Sequence, residues 1–391
     1  MIVLALNPGS NSLKFDLVDV SPHQTHAAEA KKLLSGTIDN IGKPTTLVLT
    51  EGDRTREIEG DFKDFTAATQ ESLKALADRT FELAAVRVVH GGDTFTQAVP
   101  YDSHVRAEIE RREPLAPLHN ANSLKVMDAL HGEFPVSVAF DTAFHHTLPE
   151  IAWRYPIDRA LADHLGIRRF GFHGLSHRFQ LERYAHLRGK RPEDCILITT
   201  HLESGSSACA ILNGRSIDTS MGFTPLEGLM MGTRSGSVDP AILPFLMKQL
   251  NLSAKDALNI LEKKSGLQGL SGISLDTRIL RKSDEPAAKF ALELFAYRAL
   301  HFVAAYLAVL ASTGTPAEAV IFGGGIGENT PEVRAGIAAG LAPFGLHFDP
   351  IRNGSATSGD NPLHSEASLL QAWSMKVEEG LQLAYECAQT L

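Results

Sequence analysis

The stretch Ala5-Leu6-Asn7-Pro8-Gly9-Ser10-Asn11-Ser12 near the start of the chain has a counterpart half a chain later, Thr199-Thr200-His201-Leu202-Glu203-Ser204-Gly205-Ser206-Ser207. Both set a polar turn rich in glycine or serine between two apolar runs, which predicts two strands joined by a short loop. The recurrence points to a duplicated architecture. Around the first copy, apolar runs at 2–6, 13–20, 33–38, 84–89 and 136–140 predict strands, with helices at 64–78, 105–112 and 120–130. Around the second, runs at 196–199, 208–212 and near Ile217 predict strands again, and Asn213-Gly214 is a hairpin signal. Helices follow at 240–250, 254–263 and 286–311, and a strand at 319–322 runs into Gly323-Gly324-Gly325-Ile326-Gly327-Glu328-Asn329. Thr330-Pro331-Glu332 starts a helix, with Thr330 as its cap, and a last helix spans 377–390. Strands alternating with helices specify the α/β class. A chain of 391 residues exceeds one ordinary core, so two lobes are expected: 1–150, completed by the last helix at about 377–391, and 151–376.

The formal net charge is −9 and no polybasic block occurs, which argues against a nucleic-acid or membrane-surface partner. An acidic protein that handles anionic substrates must concentrate positive charge locally, so single arginines carry the interest. Cys195, Cys209 and Cys387 have neither metal-ligand nor redox spacing, and they read as buried apolar side chains of a cytoplasmic protein. The opening apolar run is too short for a signal peptide, and the apolar stretch at 302–311 reads as a buried helix.

No G-x-x-x-x-G-K-[ST] sequence is present, so a phosphate site must be assembled from the glycine and serine loops, whose backbone N–H groups are unobstructed. Taken alone, the run of glycines from Gly323 to Gly327 fits a phosphate cradle or a tight turn equally well. Lys14, two residues after Ser12, can reach a phosphate or sit solvated on its strand. Arg87 is the only charge in the run 84–89, hence buried in an ion pair or aimed into a cleft. Arg234, in Met230-Met231-Gly232-Thr233-Arg234-Ser235-Gly236-Ser237, has no evident core role and reads as functional. Asp141 directly follows a strand, where α/β proteins place site residues, although a helix cap is the plainer use. His173 lies between Gly171-Phe172 and Gly174, and the pair His145-His146 lacks the flanking spacing of a metal site.

Taken together, NPGSNSLKF at 7–15, RVVHGG at 87–92, APLHN at 116–120, FDTAFH at 140–145, GFHGLSH at 171–177, MGFTPLEGLMMGTRSG at 221–236 and GGIGEN at 324–329 resemble the acetate kinase family, a branch of the sugar kinase and actin superfamily. The resemblance implies a duplicated ribonuclease H-like (actin-like ATPase) fold of two lobes with a central cleft, a homodimer, Mg²⁺ or Mn²⁺, and reversible phosphoryl transfer from ATP to acetate giving acetyl phosphate and ADP. It assigns Arg87, Asp141, His173 and Arg234 to catalysis, and Arg87, Val89, Leu118, Phe172 and Pro225 to the small acid and its methyl group. It assigns Lys14, His201, Leu202, Glu203, Ser204, Gly205, Asp276, Thr277, Arg278, Gly325, Ile326, Gly327, Glu328 and Asn329 to the nucleotide, and Asn7 and Glu379 to the metal.

Two departures stand out. The family's HLGNG loop is His201-Leu202-Glu203-Ser204-Gly205 here, and its TNEEL motif is Val377-Glu378-Glu379-Gly380-Leu381. An acid beside a polyphosphate is repulsive unless it turns away or meets a cation. Altered donor use, a related acid such as propionate, and a non-catalytic nucleotide or acyl-phosphate sensor are the alternatives.

Overall fold

The computed structural model describes the backbone of all 391 residues and the side chains of all but Pro117 and Leu118. The predicted substrate contact Leu118 therefore lies outside the described residues. Two compact units share the chain: Met1–His146 with Phe172–Leu187 and Glu378–Leu391, and Thr147–Gly171 with Arg188–Val377.

The first unit is built on eight strands: β1 (Ile2–Pro8), β2 (Leu13–Asp19), β3 (Lys31–Ile38), β4 (Thr46–Glu51), β5 (Arg54–Glu59), β6 (Leu83–Val88), β7 (Val99–Pro100) and β8 (Val136–Phe140). Their order is β5-β4-β3-β2-β1-β6-β8-β7, with β1 to β5 antiparallel and β1, β6 and β8 mutually parallel. Parallel neighbours need crossovers, which helices supply. The helix Phe65–Ala75 precedes β6, with Asp64 accepting from the Ala67 N–H as its cap, and Pro117–Leu130 precedes β8. Leu4, Leu6, Phe15, Val86, Val88 and Val138 form the centre of a continuous apolar core. The closing helix Glu379–Ala388 packs on β1 and β6, so the chain's end completes the unit that its start begins.

The second unit has six strands: β9 (Ile196–Leu202), β10 (Ser206–Leu212), β11 (Arg215–Thr219), β12 (Ala319–Gly323), β13 (Asn361–Pro362) and β14 (Gln371–Ser374). Their order is β11-β10-β9-β12-β14-β13, with β9, β12 and β14 parallel. The series β3-β2-β1-β6-β8 and β11-β10-β9-β12-β14 therefore have the same connectivity and sense, which is the duplication expected from the two loops. Asn213 and Gly214, at φ 51° and 76°, make the β10–β11 turn left-handed at both central positions. The helix Pro286–Ser312 is long and apolar enough by length and composition to cross a membrane. Its Phe295, Ala299, Val303, Tyr306 and Leu310 are buried in the core of this unit, against β10 and the helix Pro331–Ala338.

One segment departs from the division at residues 150 and 376. The helix Gly174–Leu187 belongs with the first unit, because it buries Leu175, Phe179, Leu181 and Tyr184 and packs on the closing helix and on the turn Ala27–Glu29. Thr330 also differs from its expected use. It stands at the N-cap position of Pro331–Ala338 without capping it, and its hydroxyl lies 3.2 Å from that of Thr277.

Candidate active site

In the first unit three parallel strands deliver three side chains to one end of the sheet. Asn7 comes from β1, Arg87 from β6, and Asp141 directly follows β8. Arg87 donates from Nε and Nη2 to the two oxygens of Asp141, at 2.8 and 2.5 Å, and from Nη1 to Asn7 Oδ1 at 2.7 Å. Asn7 Nδ2 in turn donates to Glu379 Oε2 at 3.2 Å, in the first turn of the closing helix. The Arg87 side chain is 14% exposed and Asp141 1%, so the ion pair is buried and its forked geometry fixes the guanidinium plane. The sequence left open whether Arg87 was paired; it is, and to another predicted site residue.

The GFHGLSH segment is tied to this cluster through its backbone. The Gly174 N–H donates to the Asp141 carbonyl at 2.9 Å, and a Cβ on Gly174 would stand 2.2 Å from that oxygen. Gly174 is thus required for close approach to Asp141. His173 just before it has φ 58°, a left-handed conformation uncommon outside glycine and a feature of residues held for function. Phe172 and Val89 are buried, and the ring of His90, next to Val89, meets the Phe172 ring edge-on at 5.4 Å. Asn120 braces that loop by exchanging two hydrogen bonds with the His90 backbone, at 3.0 and 3.1 Å. Lys14 is exposed on β2, in register with Asn7, and so belongs to the first unit rather than with the other predicted nucleotide residues. His145 Nε2 lies 3.0 Å from the Phe172 carbonyl and His146 Nδ1 2.7 Å from that of Ala143, so this pair is used locally.

The second unit assembles its predicted residues from loops. In the turn after β9, the Glu203 N–H donates to the Gly205 carbonyl at 3.0 Å, and the Ser204 carbonyl accepts from the Gly232 N–H at 3.0 Å. Gly324, at φ 77°, packs so closely that a Cβ would stand 2.8 Å from the Leu202 carbonyl oxygen. Glu203 leans toward Gly325, whose Cβ would lie 3.8 Å from Glu203 Cγ, and its carboxylate is 3.5 Å from His201 Nε2. Arg234 donates to the Pro225 carbonyl at 3.1 Å, which joins two predicted site residues. Asp276 caps the helix Thr277–Lys282 and forms an ion pair with the exposed Arg278 at 2.7 Å, and the Thr277–Thr330 hydroxyl contact connects this segment to the end of GGIGEN. Leu202 and Ile326 send their side chains into the core, leaving only their backbone for a ligand. Burial raises the Glu328 carboxyl above the usual carboxylate range, and Glu328 accepts from the Val377 N–H at 3.0 Å. Asn329 turns back to the Gly325 carbonyl at 2.9 Å.

Two supports were invisible in the sequence. Arg334 is 1% exposed and donates to the carbonyls of Gly327, Glu328 and Asn353 at 2.9, 2.6 and 2.9 Å, and to Asn353 Oδ1 at 2.7 Å. With these four neutral acceptors holding it, burial lowers its pKa to about 10. Arg169 clamps the carbonyls of Thr219, Ser220 and Met221 and pairs with Glu227 at 2.8 Å, and Glu227 also accepts from the Tyr155 hydroxyl. This anchors the segment before Arg234 at 219–221 and again at Glu227. Buried arginines spaced from loops only by the fold leave no local signal.

A model described as the acetokinase family matches residues 2–385. This chain belongs to the acetokinase family. It is 41% identical to the acetate kinase of Clavibacter michiganensis, covering 98% of this chain and 97% of that one. It is 38% identical to that of Solibacter usitatus, covering 100% and 98%. Among solved structures, Porphyromonas gingivalis acetate kinase superposes with TM-score 0.89 at 32% identity, covering 100% and 99%. A propionate kinase from Francisella tularensis superposes with TM-score 0.91 at 31% identity, covering both chains fully. The acetokinase family's duplicated two-lobe, actin-like fold is that of this chain, as its motifs implied.

Proposed function

We propose that the protein catalyses reversible phosphoryl transfer between ATP and acetate, giving acetyl phosphate and ADP. The observation that carries this reading is the Asp141–Arg87–Asn7–Glu379 chain: a guanidinium locked in plane by a buried carboxylate, bonded through an amide to a second acid. Acetate is already ionised at neutral pH, so no general base is required. A carboxylate oxygen attacks the γ-phosphorus, the bond to the β–γ bridging oxygen breaks, and ADP leaves with that electron pair. Catalysis reduces to alignment and charge neutralisation.

Arg87 and Arg234 are assigned to the carboxylate and the migrating phosphoryl group, with His173 donating to the equatorial oxygens and Asp141 orienting Arg87. Val89, Leu118, Phe172 and Pro225 are assigned to the methyl group. The nucleotide is assigned to the loops at His201–Gly205, Asp276–Arg278 and Gly325–Asn329, and to Lys14. Asn7 and Glu379, with Asp16 beside Gly380, offer hard oxygen donors suited to Mg²⁺ or Mn²⁺, which would neutralise phosphate charge when bound. A cytoplasmic homodimer is the expected form. The exposed Ile242, Phe245 and Leu250 along the helix Ile242–Leu250 support association.

A second reading, propionate as the preferred acid, is favoured by the likeness to the Francisella propionate kinase. Hydroxylamine trapping of acyl phosphate tests both, across acetate, propionate and butyrate with ATP or pyrophosphate as donor. Acetyl hydroxamate from ATP is the expected product. A higher kcat/KM for propionate would select the second reading, and no hydroxamate from any pair would refute kinase activity.

A further inference from the structure

We propose that His26, Glu29 and His186 form a binding site for a divalent transition-metal ion of the Zn²⁺ class, separate from the oxygen donors at Asn7 and Glu379. His26 precedes the short turn Ala27–Glu29, which Glu29 ends, and His186 lies in the last turn of the helix Gly174–Leu187 in the same unit. One ligand atom from each lies within 4.8 Å of the other two. His26 Nε2 is 2.9 Å from His186 Nδ1 and 3.4 Å from Glu29 Oε1. Around a tetrahedral zinc with bonds of about 2.0–2.1 Å, ligand atoms are roughly 3.3–3.4 Å apart. A few tenths of an ångström of opening between the imidazoles is the adjustment required.

The ligands are held before any ion arrives. His26 is 8% exposed, and the second oxygen of Glu29 accepts from the Thr25 N–H at 2.9 Å. The Ala27 N–H donates to Glu182 on the helix at 3.3 Å, which fixes the turn against it. Burial, the largest influence on it, lowers the His26 pKa from the ordinary imidazole value. Glu29 and Glu182 supply negative charge, Arg183 opposes them, and Arg178 is engaged by Glu182 and Glu386. His186 and Glu29 are solvent-exposed, which leaves a fourth position for water. Two imidazoles and one carboxylate select a borderline ion over Mg²⁺, which prefers oxygen ligands. The ion would replace the imidazole contact that now joins the turn to the helix, bracing that helix at the end opposite His173.

Equilibrium dialysis of the full chain against micromolar Zn²⁺, with millimolar Mg²⁺ occupying oxygen sites, tests the proposal. The expected result is one zinc per chain and a melting temperature raised by about 3 °C. His186→Ala and Glu29→Gln, both at exposed positions, are each expected to lower zinc affinity at least tenfold. Co²⁺ substitution should give visible d–d bands in the wild type that weaken in both variants. No bound zinc under Mg²⁺, or zinc binding and cobalt bands unchanged in both variants, would overturn the site.

Discussion

At the ends of β1, β6 and β8 the first unit gathers polar and charged side chains, Asn7, Arg87 and Asp141, into one hydrogen-bonded chain. At the ends of β9 and β12 the second unit gathers glycines, with Gly324 against Leu202 and Gly232 against Ser204. The topology is the same, yet the first site is specified by side-chain charge and the second by the space that a missing Cβ leaves. A charge cluster fails when a partner is removed, because an uncompensated charge stays buried. A glycine cluster fails when anything is added.

The largest effect is expected at Asp141. Replacement by Ala takes the forked carboxylate of a buried ion pair away from Arg87, so stability should fall by about 3–5 kcal/mol in denaturant titrations. Activity of the folded fraction should fall by roughly 10²–10³. Near wild-type stability would mean that the charge cluster is not the organising feature of its unit. Next comes Arg234→Ala, expected to remove on the order of 3 kcal/mol of transition-state stabilisation, seen mainly in kcat. Undiminished turnover would remove Arg234 from the chemistry.

Gly324→Ala probes the other cluster. At φ 77°, with the Leu202 carbonyl oxygen 2.8 Å from the new Cβ, the substitution should cost about 1–3 kcal/mol and raise KM for ATP more than KM for acetate. Equal changes in both constants would show that this cluster does not serve the nucleotide.

The contrast also explains what could be read from the chain alone. Strand runs, the Asn213-Gly214 turn and the repeated loop layout are local patterns, and they gave β1, β6 and β8 of the first sheet and β9 and β12 of the second, but not the short β14. The hairpin of β4 and β5 escaped because β5, Arg-Thr-Arg-Glu-Ile-Glu, is nearly all polar and exposed on an edge. The helix Gly174–Leu187 escaped because its start coincides with the histidine motif and its apolar residues are interleaved with Arg178, Glu182 and Arg183. Arg87 and Asp141 were each legible as unusual, but their bond is made by β6 and β8 lying side by side, which residue spacing does not encode. Arg334 carries no local signal in the sequence, and only the fold turns it beneath the glycine loop.

The smallest effect belongs to Glu328, which sits inside the glycine region yet carries a charge. Burial, the largest influence, raises its pKa, while the Val377 N–H bond and His201 partly oppose the rise and Glu203 adds to it. Between the ordinary carboxylate value and the raised folded value, the native state holds more proton than the unfolded chain, so stability falls as pH rises through that window. Glu328→Gln retains an acceptor for the Val377 N–H and removes the titration. The melting temperature of the variant relative to wild type should therefore climb as pH increases from the ordinary carboxylate range toward neutrality, then level off. A constant difference across that range would mean that the carboxylate is as well solvated in the fold as in the open chain, and that charge is tolerated where the second unit otherwise relies on empty space.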